Sequence, residues 1–202
     1  MLHFKIIFLL FFFGCSSTSK PIFNIFSGKS YSEYLLDYKS CTGKGILKSK
    51  GALNGRLLFT FKSQRDSTFI DFSDPIGRKT LLVWVTKNSI TARNMIENRQ
   101  YDNEAVRELL PILKVLNPSD ITKIIWGVKP EEKSRINKSD LSYEDNFEMK
   151  FYRKNLGTEK RALAGIYFDD FSFNTSIKMD FKNRNRNLEF VDMKKVWRLL
   201  KY

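Results

Sequence analysis

Residues 56–86 read RLLFTFKSQRDSTFIDFSDPIGRKTLLVWVT and hold three short apolar segments separated by turn-like sequence. The segments run from Arg56 to Lys62, from Ser67 to Ser73 and from Thr80 to Thr86. Runs of β-branched and aromatic residues bounded by Asp, Gly and Pro are typical of β-strands and turns. Parallel neighbours would need crossovers of about a dozen residues or more, so these strands are expected to run antiparallel.

Several of these strands are apolar on both faces, for example at Leu57-Leu58-Phe59 and from Leu81 to Val85. Successive side chains of a strand point to opposite faces of the sheet. A sheet with two apolar faces must be covered on both, or must enclose something apolar. The sequence therefore predicts either a covered sheet or an apolar cavity.

Further strands are expected on both sides of this stretch. The hexapeptide from Ile177 to Lys182 alternates apolar and polar residues, which indicates one buried and one solvated face. The last residues, Lys194 to Tyr202, fit either a terminal strand or a basic amphipathic helix. The other predicted strands are Gly43 to Lys50, Ser89 to Asn94, Glu144 to Lys154, Leu163 to Phe173, Thr175 to Lys182 and Leu188 to Val191.

Helices are predicted before and within this series. Ser30 to Lys39 has helical spacing of apolar residues, with Ser30 or Ser32 as its N-cap. Residues 102–128 predict a pair of helices, because Pro111 should bend or end the first and Ser119 can open the second. Gly127 should end the second helix.

The N-terminus has the layout of an export signal. One lysine lies within Met1 to Lys5, Ile6 to Phe13 is wholly apolar, and Gly14-Cys15 follows. A cysteine at this place resembles the lipobox of bacterial lipoproteins, whose preceding positions here hold Phe12 and Phe13. The resemblance implies cleavage before Cys15 and lipid on Cys15; the alternative is an ordinary signal peptide with a chance cysteine. We divide the chain into a signal peptide (1–14), a lipidated tether (15–29) and one domain (30–202).

Composition excludes several kinds of chemistry from the mature chain. The only histidine, His3, lies in the signal, so no Cys-His, Ser-His or His-containing zinc site is expected after cleavage. Cys41 has no partner once Cys15 carries lipid, so it should be a small core residue at the start of a strand. The net charge is +13, and loss of Lys5 with the signal lowers it to +12. An exported basic protein favours anionic lipid or acidic protein partners over nucleic acid.

The order of these parts resembles the LolB family of outer-membrane lipoprotein receptors. Phe69 to Gly77 is similar to the family's strand leading into an Asn-Pro-Leu-Gly loop, and Tyr101-Asp102-Asn103 is similar to its helix start. Leu116-Asn117-Pro118, with Ile124 to Pro130, resembles its second helix. The resemblance covers roughly residues 43–130 and is weaker in the later strands.

This resemblance implies a mainly β fold: a curved, unclosed antiparallel barrel of about ten strands, with an N-terminal helix and a two-helix insertion as a lid. It implies a membrane-insertion loop at Pro75, Ile76 and Gly77, with Ile76 as the protruding apolar residue. It also implies a monomer that accepts acylated lipoprotein from a periplasmic carrier and delivers it to outer-membrane lipid, with no cofactor besides the lipid on Cys15. The cavity-lining candidates are Leu57, Phe59, Phe61, Phe69, Phe72, Leu82, Trp84, Leu109, Leu113, Trp126, Met149, Phe151, Ile177, Met179 and Phe181.

Three other functions remain open at this point. A protein of the same fold could carry free lipid or glycolipid, or it could be a structural or assembly lipoprotein whose 18 phenylalanines form a solid core. Only the carrier needs an apolar pocket, on the order of 300–1,000 Å³. An enzyme would need paired acids, as at Glu131-Glu132, Glu144-Asp145 or Asp169-Asp170. Adjacent acids on a strand point to opposite faces, so we expect no enzymatic activity and no metal site.

Overall fold

The computed structural model describes residues 29–51, 54–110, 112–131, 146–157 and 159–193. The predictions for the signal peptide, for Cys15 and for Lys194 to Tyr202 lie outside the described residues, as do Pro111, Glu132, Glu144 and Asp145. Within these ranges, no helix is long and apolar enough to cross a bilayer.

Nine strands and four short helices make up the described fold. The helices are α1 (Tyr31–Asp37), α2 (Asn103–Leu109), α3 (Ile112–Val115) and α4 (Pro118–Trp126). The strands are β1 (Ser40–Lys50), β2 (Gly55–Gln64), β3 (Ser67–Ser73), β4 (Lys79–Val85), β5 (Ile90–Asn94), β6 (Arg99–Tyr101), β7 (Phe147–Leu156), β8 (Glu159–Asp170) and β9 (Thr175–Asn187).

The strands form one antiparallel sheet in the order β6-β5-β4-β3-β2-β1-β9-β8-β7. Six strands follow one another as a meander, and β9 then pairs with β1 and brings β8 and β7 to its other side. Within the described residues the outermost strands, β6 and β7, do not pair with each other, so the sheet is unclosed. The predicted fold class is confirmed.

Local sequence explains where the helices begin and end. Ser30 is the N-cap of α1, and its side chain and that of Glu33 form a capping box. Pro118 occupies the first turn of α4, where its missing N–H costs nothing. Gly127 ends α4 in the left-handed conformation, with φ of 92°. The second predicted helix therefore starts one residue earlier than Ser119.

Two predicted strands differ from the structure, and one strand was not predicted. Leu188 to Val191 is not a strand, whereas β9 continues through Asn187. The polar run Asn183 to Asn187 shows no apolar alternation, but it pairs with Ser40 to Lys44 beyond a bulge at Lys44/Gly45. The short strand β6 was not predicted, because three residues are too few to show a period.

The sheet is covered on one face and only in part on the other. Side chains of β3 and β4 are buried on both faces, as the apolar runs predict, whereas Leu58, Thr60 and Lys62 of β2 are exposed. The larger apolar cluster lies on the face that packs against the helices, and we call this the inner face. A small second cluster lies on the outer face, where Phe69, Leu82 and Trp84 pack against Val191 and Met193. The two clusters share strands β3 and β4, whose side chains alternate between them.

Candidate functional site

Four phenylalanines fill the middle of the inner face. Phe59 and Phe61 of β2 both contact Phe181 of β9 edge to face, with ring centroids 5.7 and 5.9 Å apart. The ring centroid of Phe72, on β3, lies 5.9 Å from that of Phe59. Such spacings and angles are those that aromatic pairs prefer. This centre of the inner face is therefore filled by side chains.

Two glycines of β1 allow these rings to lie close to the sheet. Gly43 pairs with Phe61 and Gly45 with Phe59 in the β1–β2 register. A Cβ built on either glycine would overlap the ring of its partner and a backbone carbonyl oxygen of β9. The glycines therefore serve close approach and not a turn.

Toward the end of the sheet that carries residues 74–78, the inner face becomes apolar but partly exposed. Leu57, Leu47 and Met179 lie side by side in register across β2, β1 and β9, and each is half-buried. Phe151 and Met149 of β7 extend the same surface and are also half-buried. Of the cavity-lining candidates, Leu57, Met149, Phe151 and Met179 thus line this part, which we call the open end. The candidate Ile177 belongs to the same face but is buried.

The opposite end of the inner face is closed by α4, which is held to the sheet by buried polar contacts. Trp126 Nε1 donates a hydrogen bond of 2.8 Å to Ser63 Oγ. The Ser63 hydroxyl also lies 2.8 Å from Thr68 Oγ1, which lies 3.1 Å from Thr122 Oγ1 on α4. Trp126 therefore plugs this end as part of a hydrogen-bonded network.

Two arginines of β9 bind the C-terminus of α4. Arg184 Nε donates to the Ile125 carbonyl oxygen at 2.7 Å, and Arg186 Nη2 donates to that of Trp126 at 2.6 Å. Glu159 supplies the opposite charge, 3.1 Å from Arg186. Burial lowers the pKa of the Arg184 guanidinium. Cations at a helix C-terminus satisfy its free carbonyl groups and its dipole, so these arginines fix α4 in place.

The first two helices of the insertion contribute unequally to the inner face. Leu113 of α3 is buried and belongs to the inner cluster, together with Val106 of α2. Leu109, at the end of α2, is 43 % exposed. The expectation that Leu109 lines the interior is therefore corrected, because the short α2 buries Val106 and stops at Leu109.

The positions of Phe69, Leu82 and Trp84 also need correction. They belong to the outer cluster and are separated from the inner face by the sheet itself. Their strands are apolar on both sides, so alternation gave no basis for choosing a face.

The predicted insertion loop is exposed and tightly hydrogen-bonded. Asp74 Oδ1 accepts from the backbone N–H of Ile76 at 3.1 Å and of Arg78 at 2.9 Å, and Asp74 Oδ2 accepts from Arg78 Nε at 2.7 Å. Burial raises the pKa of the Asp74 carboxyl, but the hydrogen bonds from Arg78 outweigh it and leave that pKa below its ordinary value. Gly77 has a φ of 89° and donates to the Asp74 carbonyl oxygen. Ile76 is 77 % exposed, so a formed turn presents an apolar side chain to solvent.

Among the described residues, Cys41, Asp169 and Asp170 do not form a reactive cluster. Cys41 is fully buried on β1, and burial raises the pKa of its thiol to about 12. Asp170 accepts backbone hydrogen bonds from Ser172 and Phe173 and so stabilises the turn after β8. Asp169 accepts from the Tyr167 hydroxyl. Among the residues that the structure describes, no three His, Cys, Asp or Glu side chains group as metal ligands.

The architecture with its filled centre and open apolar end can be compared with known proteins. The fold is similar to that of a DUF1329 family protein from Desulfovibrio piger, with a TM-score of 0.56 at 10 % identity over 84 % of this chain and 94 % of that one. The likeness shows a shared fold. A LolA superfamily protein from Nitrosomonas europaea has a TM-score of 0.45 at 8 % identity, over 82 % and 96 % of the two chains, which is too low for further argument. No family model and no curated protein matches the sequence.

Proposed function

We propose that this protein is anchored by lipid on Cys15 to the periplasmic face of the outer membrane. There it binds acyl chains at the open end of the inner face, accepts acylated lipoproteins from a periplasmic carrier and delivers them to the membrane. This is the role that the resemblance to LolB receptors implies. The observation that carries the proposal is the row of half-buried apolar side chains Leu57, Leu47 and Met179 beside a preformed turn bearing Ile76.

Acyl binding at the open end needs no catalytic group. Burying each methylene of an acyl chain contributes about 0.8 kcal/mol. The open end offers aliphatic, aromatic and thioether surfaces, and methionines such as Met149 and Met179 adapt their shape to irregular ligands. Because the phenylalanine centre and α4 close the other end, a chain would enter from the side of residues 74–78.

The first test measures acyl binding. Residues 16–202, exported behind a cleavable signal peptide so that the protein carries no lipid of its own, should retain acylated ligand in a native mass spectrum. Leu47→Trp combined with Met179→Trp should remove the bound ligand by filling the open end. Thr60→Trp is the matched control, because Thr60 is exposed on the outer face of β2.

Delivery is tested separately from binding. Ile76→Glu should still bind ligand but should fail to transfer lipoprotein to vesicles, since a carboxylate at the turn tip opposes entry into a bilayer. Leu36→Glu is the control, because Leu36 is 81 % exposed on α1 at the far end of the sheet. A folded protein that takes up no acylated ligand would contradict the receptor proposal.

One observation favours a second function, that of a structural or assembly lipoprotein. The middle of the inner face is occupied by phenylalanine rings in mutual contact, as in a solid core. If the protein has this second function, Leu47→Trp combined with Met179→Trp would not change the signal of acylated ligand in the native mass spectrum, and neither would Ile76→Glu.

A further inference from the structure

Large apolar side chains are exposed on three turns of the sheet and not only at Ile76. Met95 and Ile96 lie in the turn between β5 and β6, where Ile96 is 75 % exposed. Phe171 and Phe173 lie in the turn between β8 and β9 and are 60 % and 59 % exposed. Single exposed apolar residues are ordinary, whereas a group of them marks an interaction surface.

The strand register places all three turns at one end of the sheet. The β3–β4 and β5–β6 turns are adjacent, because the Met95 N–H donates to the carbonyl oxygen of Thr80 at the start of β4. The β8–β9 turn lies beside the end of β1, since Lys50 pairs with Ser176. This end also carries the open end of the inner face. We call Ile76, Met95, Ile96, Phe171 and Phe173 the turn rim.

The turns at the opposite end of the sheet have a different composition. Arg65-Asp66 joins β2 to β3, and Thr86 to Ser89 joins β4 to β5. Neither contains an apolar residue. Exposed apolar side chains also occur at that opposite end, at Leu36 of α1 and at Leu188 and Phe190 after β9. Among the described turns that join two strands, however, exposed large apolar side chains lie only at the end that carries the open end of the inner face.

Basic side chains surround the turn rim. Their positive charge favours a partner that is negatively charged. Lys50, Arg56 and Arg99 are exposed near the strand ends, and Lys114 Nζ lies 4.8 Å from the centroid of the Phe173 ring. Of the nearby acids, Asp71 and Asp74 are paired with Lys79 and Arg78. Glu97, in the β5–β6 turn, accepts a hydrogen bond from the Tyr101 hydroxyl and is exposed. Apolar tips amid basic residues are the composition that binds an anionic lipid surface.

We propose that the turn rim docks on the surface of an anionic bilayer through all three turns, with the open end of the inner face directed toward the lipid. The proposal deepens the proposed function and rests on it for the location at a membrane. It extends the contact from one loop to three and sets the orientation of the whole sheet. Three points of contact define a plane, so the domain would stand on the membrane with its strands steeply inclined to it.

The test uses the full chain reconstituted into vesicles of phosphatidylethanolamine and phosphatidylglycerol. A single cysteine carrying an environment-sensitive fluorophore is placed by Ile76→Cys, Ile96→Cys or Phe171→Cys, and quenching by spin-labelled lipid acyl chains is recorded. Asn88→Cys, at the opposite end of the sheet, is the control. The unsubstituted chain, labelled in parallel, gives the background from any Cys15 that carries no lipid, and Cys41 is buried.

We expect quenching at positions 76, 96 and 171 and none at position 88. Ile96→Ser combined with Phe171→Ser should lower the docked-to-undocked ratio reported from position 76 by about tenfold or more, since each substitution removes much of one large apolar contact. Leu36→Ser, a change of similar size far from the rim, should leave the ratio unchanged. Replacing phosphatidylglycerol by phosphatidylcholine should weaken docking, and so should salt near 1 M, where the screening length falls to about 3 Å.

The possible failures are distinguishable. Quenching at position 76 alone would overturn the three-turn contact and leave a single insertion loop. Absence of quenching at all three positions would overturn both the docking of the turn rim on lipid and the proposed delivery step. Acyl binding would not be affected by that result, because the mass spectrum tests it separately. Protection of positions 96 and 171 by a protein partner, with no lipid quenching, would also overturn the proposal.

Discussion

Gly43 and Gly45 fit closely under the rings of Phe61 and Phe59. Glycine inside a strand weakens it, because the residue has no side chain to pack and loses more backbone freedom on folding. Here the lost packing is replaced by an aromatic ring from the neighbouring strand, which in turn contacts Phe181. The sequence shows two glycines at the start of a strand, but it cannot show that a ring lies over each.

Gly45→Ala tests this fit. The added Cβ would overlap both the Phe59 ring and the carbonyl oxygen of Asp180. The ring can turn aside, whereas the carbonyl can move only with the β9 backbone, so the substitution should lower the free energy of unfolding by about 1–3 kcal/mol. Urea denaturation of the variant would measure the change. Thr60→Ala, at an exposed position beside Phe59, should change stability by less than about 1 kcal/mol, and equal effects of the two variants would contradict the argument.

A residue could be assigned to one face of the sheet from sequence only where apolar and polar residues alternate along its strand. Ile177, Met179 and Phe181 alternate with polar residues, and the structure places all three on the inner face. Phe69 and Trp84 lie in strands without alternation, so their place in the outer cluster depends on residues 191–193, far away in sequence.

Among the elements, α4 is the one whose attachment the sequence did not reveal. The sequence does predict the helix itself, from its apolar residues, its first-turn proline and its terminal glycine. Its buried polar contacts come instead from three distant strands, through Ser63, Thr68 and Arg184. The arginines lie in a run of alternating Asn and Arg that resembles solvated linker sequence. The insertion expected to act as a lid thus ends in a helix that is hydrogen-bonded to the sheet.

Ser63→Ala should loosen α4. The substitution leaves the buried Trp126 N–H without its acceptor, which should cost about 1–3 kcal/mol and speed hydrogen exchange in α4. Trp126→Phe should cost less in the Ser63→Ala background than in the native chain, because the donor has already lost its partner. Additive effects of the two substitutions on the unfolding free energy would show that the hydrogen bond does not couple them.

For the whole molecule, the unclosed sheet leaves β7 as a long outermost strand of ten residues. Within the described residues, no further strand pairs with its outer side. Its solvated face carries Lys150 and Lys154, both exposed. Charged residues on an outermost strand oppose pairing with a second molecule. The antiparallel arrangement of the longer strands was predictable from segment and turn lengths, whereas the pairing of β1 with β9 was not, because it joins distant parts of the chain.

Replacing both lysines of β7 by valine should therefore cause self-association. A flat apolar edge would offer its free backbone groups to a second copy, and size-exclusion chromatography with light scattering should detect dimers or larger species. The matched control places valine at Thr60 and Lys62, which are exposed on β2 in the interior of the sheet. If both pairs leave the protein monomeric at equal concentration, the lysines have no such role.

The pairing of β1 with β9 also sets an order of events during synthesis. A chain is made from its N-terminus, and early segments can fold before later ones appear. The meander from β1 to β6 can form first, but β1 then remains an outermost strand until residues 175–187 have been made. The arginines that hold α4 arrive in the same late segment. A nascent chain that stops short of β9 would therefore leave β1 unpaired on one side and α4 without the arginines that hold it, so the fold can be completed only after residues 175–187 have emerged.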